Sequence, residues 1–221
     1  MFWLIGSIVV VIVFFLLLLA VLERKSSAKS REKATALMEK RGEQGEHDVT
    51  AYLRMLLQDG ECLLTHLLIP LRNGRKTEID AVLITKRGIF CIEIKNWVGH
   101  ISGDEFGEDW IQEYDDFARP TRKHKNPVLQ NQKHCEVLEE ILQENYDVKN
   151  IVLFWKIEDR TNLFSSSTFD VASFIPYFQK LPSGKLYEGE IEEIARKLSG
   201  YQASKEEMED FKEQMKRIYR P

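Results

Sequence analysis

Cysteine is scarce in this sequence and positive charge is not in excess, and each shortage excludes a class of protein. The three cysteines, Cys62, Cys91 and Cys135, form no Cys-x-x-Cys pair. We therefore expect neither a disulfide framework nor a zinc knuckle, and free thiols in a reducing compartment are the simplest interpretation. The formal net charge is −4 over 221 residues, whereas nucleic-acid-binding domains are often strongly basic. Composition therefore identifies no partner.

Charged residues are missing altogether from residues 2–22. An apolar stretch of that length is sufficient for a helix to cross the hydrocarbon core of a bilayer. We therefore interpret residues 1–23 as a single transmembrane helix. The alternatives are a buried core helix and a signal peptide, but a signal peptide normally has a basic start, a shorter apolar run and a small-residue cleavage site.

Basic residues follow this segment at once. Lysine and arginine recur through residues 24–40, which we interpret as a basic juxtamembrane linker. Positive charge beside a transmembrane helix marks its cytoplasmic side. The prediction is a single-pass protein of the cell membrane whose C-terminal domain is cytoplasmic and whose linker also contacts anionic headgroups.

The rest of the chain predicts alternating helices and strands. Val49 and Leu53 recur at helical spacing after Gly45, and Asn126-Pro127 supplies the cap and first residue of another helix. This order of elements indicates an α/β sandwich around a mixed central sheet, with a core at 41–150, completing strands and a helix at 151–200, and a charged C-terminal helix at 201–221. Strands are predicted at 61–70, 78–85, 88–97, 99–103, 110–114 and 151–155, helices at about 45–58, 126–145, 188–200 and 204–221, and turns with short apolar pieces at 158–187.

Two acids and a lysine interrupt the strands at 78–85 and 88–97. Because side chains alternate across a strand, Glu93 and Lys95 point to the same face. If the two strands form a hairpin, Asp80 approaches Glu93 on that face. Two converging carboxylates need protons or a cation between them, and Mg²⁺ suits them because it is commonly held by one or two carboxylates. An exposed cluster of ion pairs is the alternative.

These residues resemble a known family. Asp80, followed by Glu93-Ile94-Lys95 on the next strand, is similar to the D…(E)xK signature of the restriction-endonuclease-like PD-(D/E)xK phosphodiesterases. More narrowly, the chain resembles the nuclease-related NERD domain over about residues 40–145. That resemblance implies a restriction-endonuclease-like α/β sandwich, and four segments carry it in order: GEQGE at 42–46, EID at 78–80, EIKNW at 93–97 and NPVLQNQKH at 126–134.

The resemblance also implies an ion and a set of site residues. The ion is Mg²⁺, with Mn²⁺ as the alternative. A first-helix acid, Glu46 or in its place Glu43, joins the strand residues, although acids also favour a helix's first turn through the macrodipole alone. The implied metal ligands are Asp80, Glu93, Glu46 and the carbonyl of Ile94, and the further catalytic residues are Lys95, as the catalytic lysine, and Gln130, as a helix residue facing the site.

A basic run precedes the predicted helix at 126–145. Such a run is often a solvated loop, but beside a nuclease site it would contact phosphates. The predicted nucleic-acid-binding residues are Arg119, Arg122, Lys123 and Lys125.

Three further residues are interpreted as structural. Trp97 and Trp110 are able to stack on bases, but burial against the sheet is the simpler interpretation. His134 lies one turn after Gln130 and is interpreted as a hydrogen-bonded residue rather than a ligand.

Two functions follow from these patterns. The first is a membrane-anchored, cytoplasmic, Mg²⁺-dependent nuclease acting on DNA or RNA. The second is an inactive nuclease-fold module that binds nucleic acid at the membrane, or that binds a protein partner there through its charged C-terminal helix.

Overall fold

The computed structural model describes residues 40, 42–116, 119–143 and 145–218. The predicted transmembrane helix at 1–23 lies outside these residues, as does the linker apart from Lys40. Among the described residues, no helix is both long and apolar enough to cross a bilayer.

Five strands form the central sheet in the order β1-β2-β3-β7-β9. β1 (Cys62–Pro70), β2 (Lys76–Thr85) and β3 (Gly88–Lys95) pair antiparallel. β7 (Val148–Phe154) and β9 (Thr168–Asp170) continue the sheet parallel to β3. The mixed sheet that the sequence predicts is therefore present, and its apolar strand β7 lies inside it with neighbours on both sides.

A second sheet of four short strands has the order β6-β5-β4-β8. β4 (His100–Asp104) and β5 (Asp109–Glu113) correspond to the two predicted short strands. β6 (Arg122–Lys125) pairs antiparallel with β5, and β8 (Leu163–Phe164) pairs parallel with β4. The basic run expected as a loop is thus partly a strand.

Helices cover both faces of the central sheet. The first helix, α1, spans 42–55. α2 (Pro127–Ile141), α4 (Glu188–Ser199) and α5 (Lys205–Ile218) match predicted helices, with α2 ending four residues early. α3 (Val171–Lys180) was not predicted.

The sequence pattern does not predict α3 because of a proline. Pro176 lies inside it, and proline normally ends a helical pattern. The helix forms nevertheless because Asp170 and Ser173 make reciprocal capping hydrogen bonds at its start, and because Phe174 and Phe178 are buried in the core.

Apolar side chains form three clusters around these layers. One lies between the sheet and helices α2 and α4, and includes Cys91 and Leu138. A second lies on the opposite face with α1 and α3, and includes Val49 and Phe90. The third lies under the second sheet around Trp110, which is fully buried, in agreement with its structural interpretation.

Candidate active site

The β2–β3 hairpin brings the predicted acids to one end of the central sheet. A two-residue turn joins the strands, and their paired register ends with Ala81 opposite Ile92. Asp80 and Glu93 are the next residues beyond this last pair. They therefore lie where β2 and β3 cease to exchange backbone hydrogen bonds.

The Asp80 side chain connects β2 to β3 just beyond the last backbone pair. Its Oδ2 accepts a hydrogen bond from the backbone N–H of Ile94 at 2.8 Å. Burial, and then the charge of Glu93, raise the pKa of Asp80 well above its ordinary value, with Glu46 adding to the effect. The carboxylates of Asp80 and Glu93 are thus close enough to interact, as the hairpin predicts.

Glu93 lies on the face of β3 that α2 covers, and only 2% of the residue is exposed. Its Oε1 accepts hydrogen bonds from the Lys95 ammonium and, at 2.8 Å, from Gln130 Nε2. Ile94, between Glu93 and Lys95, packs into the cluster on the opposite face. The structure therefore brings Glu93, Lys95 and Gln130 together at one carboxylate oxygen.

The Lys95 ammonium is held charged by its surroundings. Burial acts to lower its pKa, but the carboxylates of Glu93 and Asp80 outweigh burial and raise the pKa above the usual lysine value. The ammonium also lies 5.9 Å from the centre of the Trp97 ring. Trp97 in turn stacks on His124 with 4.1 Å between ring centres and packs against the cluster around Trp110, so it has the expected structural contacts but is only partly buried.

Helix α2 positions Gln130 because its first turn is fixed. The side-chain oxygen of Asn126 accepts hydrogen bonds from the N–H groups of Val128 and Leu129, and Pro127 occupies the first turn. One turn further, Asn131 is fully buried and donates to the carbonyls of Cys91 and Ile151. These contacts fasten α2 to β3 and β7.

His134 is hydrogen-bonded, as the sequence interpretation expected, but it also lies against Glu93, which the sequence did not predict. It lies one turn after Gln130 and is buried, with its Nδ1 3.5 Å from Glu93 Oε2 and its Nε2 3.1 Å from the Thr77 hydroxyl. Burial lowers the pKa of His134; the Lys95 charge also lowers it, and Glu93 acts in the opposite direction. Its spacing from Gln130 was the only signal available in the sequence.

Glu46 lies in a second group of ligand-type atoms at the same end of the sheet. Among the described residues, one set of three or more His, Cys, Asp or Glu side chains has donor atoms all within 4.8 Å of one another: Glu46, His66 and Glu78. Glu46 Oε1 is 3.3 Å from His66 Nδ1. The charge of Glu46 also contributes to the raised pKa of Asp80. Among the described residues, however, the predicted ligands Asp80, Glu93 and Glu46 do not form such a set. The alternative first-helix acid, Glu43, is exposed on the helix surface.

Close packing against Asn96 explains the second glycine of the GEQGE segment, Gly45. A Cβ atom at this position would lie 2.4 Å from Asn96 Cγ and 2.6 Å from Asn96 Cβ. Only glycine allows α1 to approach the end of β3 so closely. This contact places Glu46 beside the strand that carries Glu93 and Lys95.

The predicted nucleic-acid-binding residues are largely paired within the protein. Lys123 and Lys125 contact the carboxylate of Asp109 at 2.9 and 3.2 Å, and Arg119 lies 3.4 Å from Asp116. Arg122 lies in β6 beside them. Their positive charge is therefore partly neutralised by neighbouring acids.

Comparison with known proteins identifies the family. The family described as Nuclease-related domain, NERD, matches residues 41–155. The chain belongs to the NERD family. An uncharacterized protein of Bacillus anthracis is 28% identical over 114 residues, which are 52% of this chain and 52% of that protein. The match therefore spans about half the length of this relative, and no solved structure matches the chain.

The NERD match ends directly after β7. It contains α1, β1 to β7 and α2, and thus every predicted site residue. The family resemblance expected from the four sequence segments is confirmed. The remaining elements, from β8 to α5, complete the sheets and helical layers outside the NERD match.

Proposed function

We propose that this protein is a metal-dependent phosphodiesterase that hydrolyses nucleic acid, with its site at Asp80, Glu93 and Lys95. The observation that carries the proposal is the buried Glu93 carboxylate, which receives both Lys95 and Gln130 on one oxygen. Buried acids with strongly altered environments concentrate at functional sites. Membership of a family named for its relation to nucleases supports the same reaction.

The donors at this end of the sheet suit a hard divalent ion such as Mg²⁺ or Mn²⁺. Asp80, Glu93 and Glu46 would hold it through carboxylate oxygens, with the Ile94 carbonyl as a further ligand, and binding would require the three carboxylates to lie closer together than they do in this structure. Glu93 Oε2 is buried and has no hydrogen-bond partner among the described residues, so it retains a lone pair for an ion. When bound, the ion supplies Lewis-acid polarisation of the phosphoryl group.

Lys95 and Gln130 have separate roles in this proposal. The raised pKa of Lys95 keeps it as an ammonium, which stabilises the negative charge that develops on the phosphoryl oxygens during in-line attack by water. Gln130 holds the Glu93 carboxylate in one orientation. Phosphates flanking the scissile bond would contact Arg119, Arg122, Lys123 and Lys125.

The location of the protein is part of the proposal. Residues 1–23 would anchor the chain in the cell membrane and place the NERD domain on the cytoplasmic side. Membrane fractionation of cells that express the chain with and without residues 1–23 tests this. Equal recovery in the soluble fraction would contradict the anchor.

The nuclease proposal is tested with the full chain purified in mild detergent. Linear DNA and RNA are incubated with EDTA, Mg²⁺ or Mn²⁺. We expect cleavage only with a divalent ion, and a loss of about 10²–10³-fold in rate for Lys95→Met, since it removes one stabilising charge. Lys197→Met, which removes a lysine of α4, is the control. Metal-dependent cleavage that is equal in Asp80→Asn, Lys95→Met and wild type would refute this site.

A second function is favoured by one observation. Asp80 accepts the Ile94 N–H and Glu93 is engaged by Lys95 and Gln130, so the acids are partly satisfied within the protein. An inactive module that binds nucleic acid, or a protein partner, would have this property. Its signature is salt-sensitive DNA binding without turnover in any divalent ion.

A further inference from the structure

We propose that His134 is a ligand of the ion that Glu93 holds, and that the ion is a divalent transition metal. This inference rests on the proposed ion site at Glu93. It adds an imidazole nitrogen to a site otherwise made of oxygen atoms.

The first observation is the burial of two facing polar atoms. The side chains of Glu93 and His134 are 3% and 7% exposed. Glu93 Oε2 and His134 Nδ1 are both buried without a hydrogen-bond partner among the described residues. Buried polar atoms are almost always satisfied, so a pair of them facing each other requires a cause.

The hydrogen bond between His134 Nε2 and the Thr77 hydroxyl does not explain how Glu93 Oε2 and His134 Nδ1 are satisfied. If His134 Nε2–H donates to the Thr77 hydroxyl, Nδ1 is unprotonated and its lone pair faces an anionic oxygen. If Thr77 donates instead, Nδ1 carries the proton, but 3.5 Å to Glu93 Oε2 exceeds the usual range of about 2.7–3.2 Å for such a hydrogen bond. Neither neutral tautomer satisfies both atoms, and in the imidazolium form the Nδ1–H faces Glu93 Oε2 across the same 3.5 Å.

A cation between the two atoms satisfies both. The separation of 3.5 Å is short enough for both atoms to bind one ion, since two ligands with bonds of about 2.1 Å can lie up to about 4 Å apart.

The hydrogen bond at the other ring nitrogen of His134 agrees with this assignment. Metal-bound histidines usually donate their other ring N–H to a neighbouring group, which fixes the tautomer. Thr77 Oγ1 lies 3.1 Å from His134 Nε2 and is placed to accept this proton. Imidazole nitrogen also favours transition metals over Mg²⁺.

Mn²⁺ alone is the probe, added to the metal-free full chain. Calorimetry measures its affinity, and pulsed electron paramagnetic resonance detects magnetic coupling of bound Mn²⁺ to a ligand nitrogen. We expect nitrogen coupling in the wild type, its loss in His134→Asn with at least about a tenfold weaker affinity, and a smaller loss of affinity in Thr77→Val. His100→Asn removes a surface imidazole that contacts Asp115 and Asp159 and should leave coupling and affinity unchanged.

The outcomes separate this inference from the proposed function. Bound Mn²⁺ that depends on Glu93 but shows no nitrogen coupling in the wild type overturns the assignment of His134 and leaves the nuclease proposal standing. Coupling that persists in His134→Asn does the same. Failure of the folded wild type to bind either Mn²⁺ or Mg²⁺ overturns both. The wild-type measurement decides the question even if His134→Asn does not fold.

Discussion

Lys95→Met tests how strongly the buried ion pair supports the fold. The substitution keeps the length of the side chain but removes the ammonium that contacts Glu93, whose side chain is 3% exposed. Removing one partner of a buried pair leaves an uncompensated charge and costs about 3–5 kcal/mol. For a chain of this size, that corresponds to a fall of roughly 6–20 °C in Tm.

The assay is urea unfolding of the full chain in EDTA, followed by tryptophan fluorescence. Adding Glu93→Gln to Lys95→Met should recover most of the lost stability, because the glutamine is neutral and still accepts the hydrogen bond from Gln130. Lys197→Met removes a half-exposed i,i+4 pair with Glu193 and should cost less than about 1 kcal/mol. If Lys95→Met costs no more than Lys197→Met, or if the double variant is the least stable, the buried-pair reasoning is wrong.

Three further predictions concern stability. Asp80→Asn should stabilise the metal-free protein at neutral pH. The raised pKa of Asp80 in the folded protein means that folding penalises the ionised carboxylate. This penalty is absent below the unfolded pKa of about 3.9 and is complete above the folded pKa. Urea midpoints measured against pH should therefore show a gain that grows as pH rises and disappears at acid pH. Gly45→Ala should cost about 1–3 kcal/mol in urea unfolding through overpacking on Asn96, whereas Gly189→Ala, in which the added Cβ meets nothing within 4 Å, should be neutral or stabilising in the same assay. Asn126→Ala should cost at least about 1–2 kcal/mol through loss of the helix cap, and equal stability to wild type would contradict the capping role.

The sequence alone was sufficient to predict the β2–β3 hairpin and the faces on which its charged residues lie. Charges that interrupt two apolar strands are visible in a linear pattern, and strand alternation assigns Glu93 and Lys95 to one face without further information. Gln130 was reached through the family resemblance alone. The structure places it on Glu93 because the Asn126 cap and the buried Asn131 fix the position of α2.

Other parts of the site depend on distances between elements that are remote in sequence. His134 could be placed on the same helical face as Gln130, but not 3.5 Å from Glu93. The grouping of Glu46, His66 and Glu78 depends on an irregularity in β1, where His66 has a φ of +56°. The contact of Asp109 with Lys123 and Lys125 depends on the pairing of β5 with β6. Periodicity in the sequence reports none of these.

The side chain of Asn126 serves two structures at once. Its oxygen caps α2, while its amide group donates to the carbonyls of Asp104, Glu105 and Gly107 in the turn between β4 and β5. The start of the helix that presents Gln130 is therefore anchored to the turn after β4, which contributes no residue to the proposed site. Insertions or deletions in that turn should change the orientation of the Gln130 side-chain amide, although they replace no residue of the site.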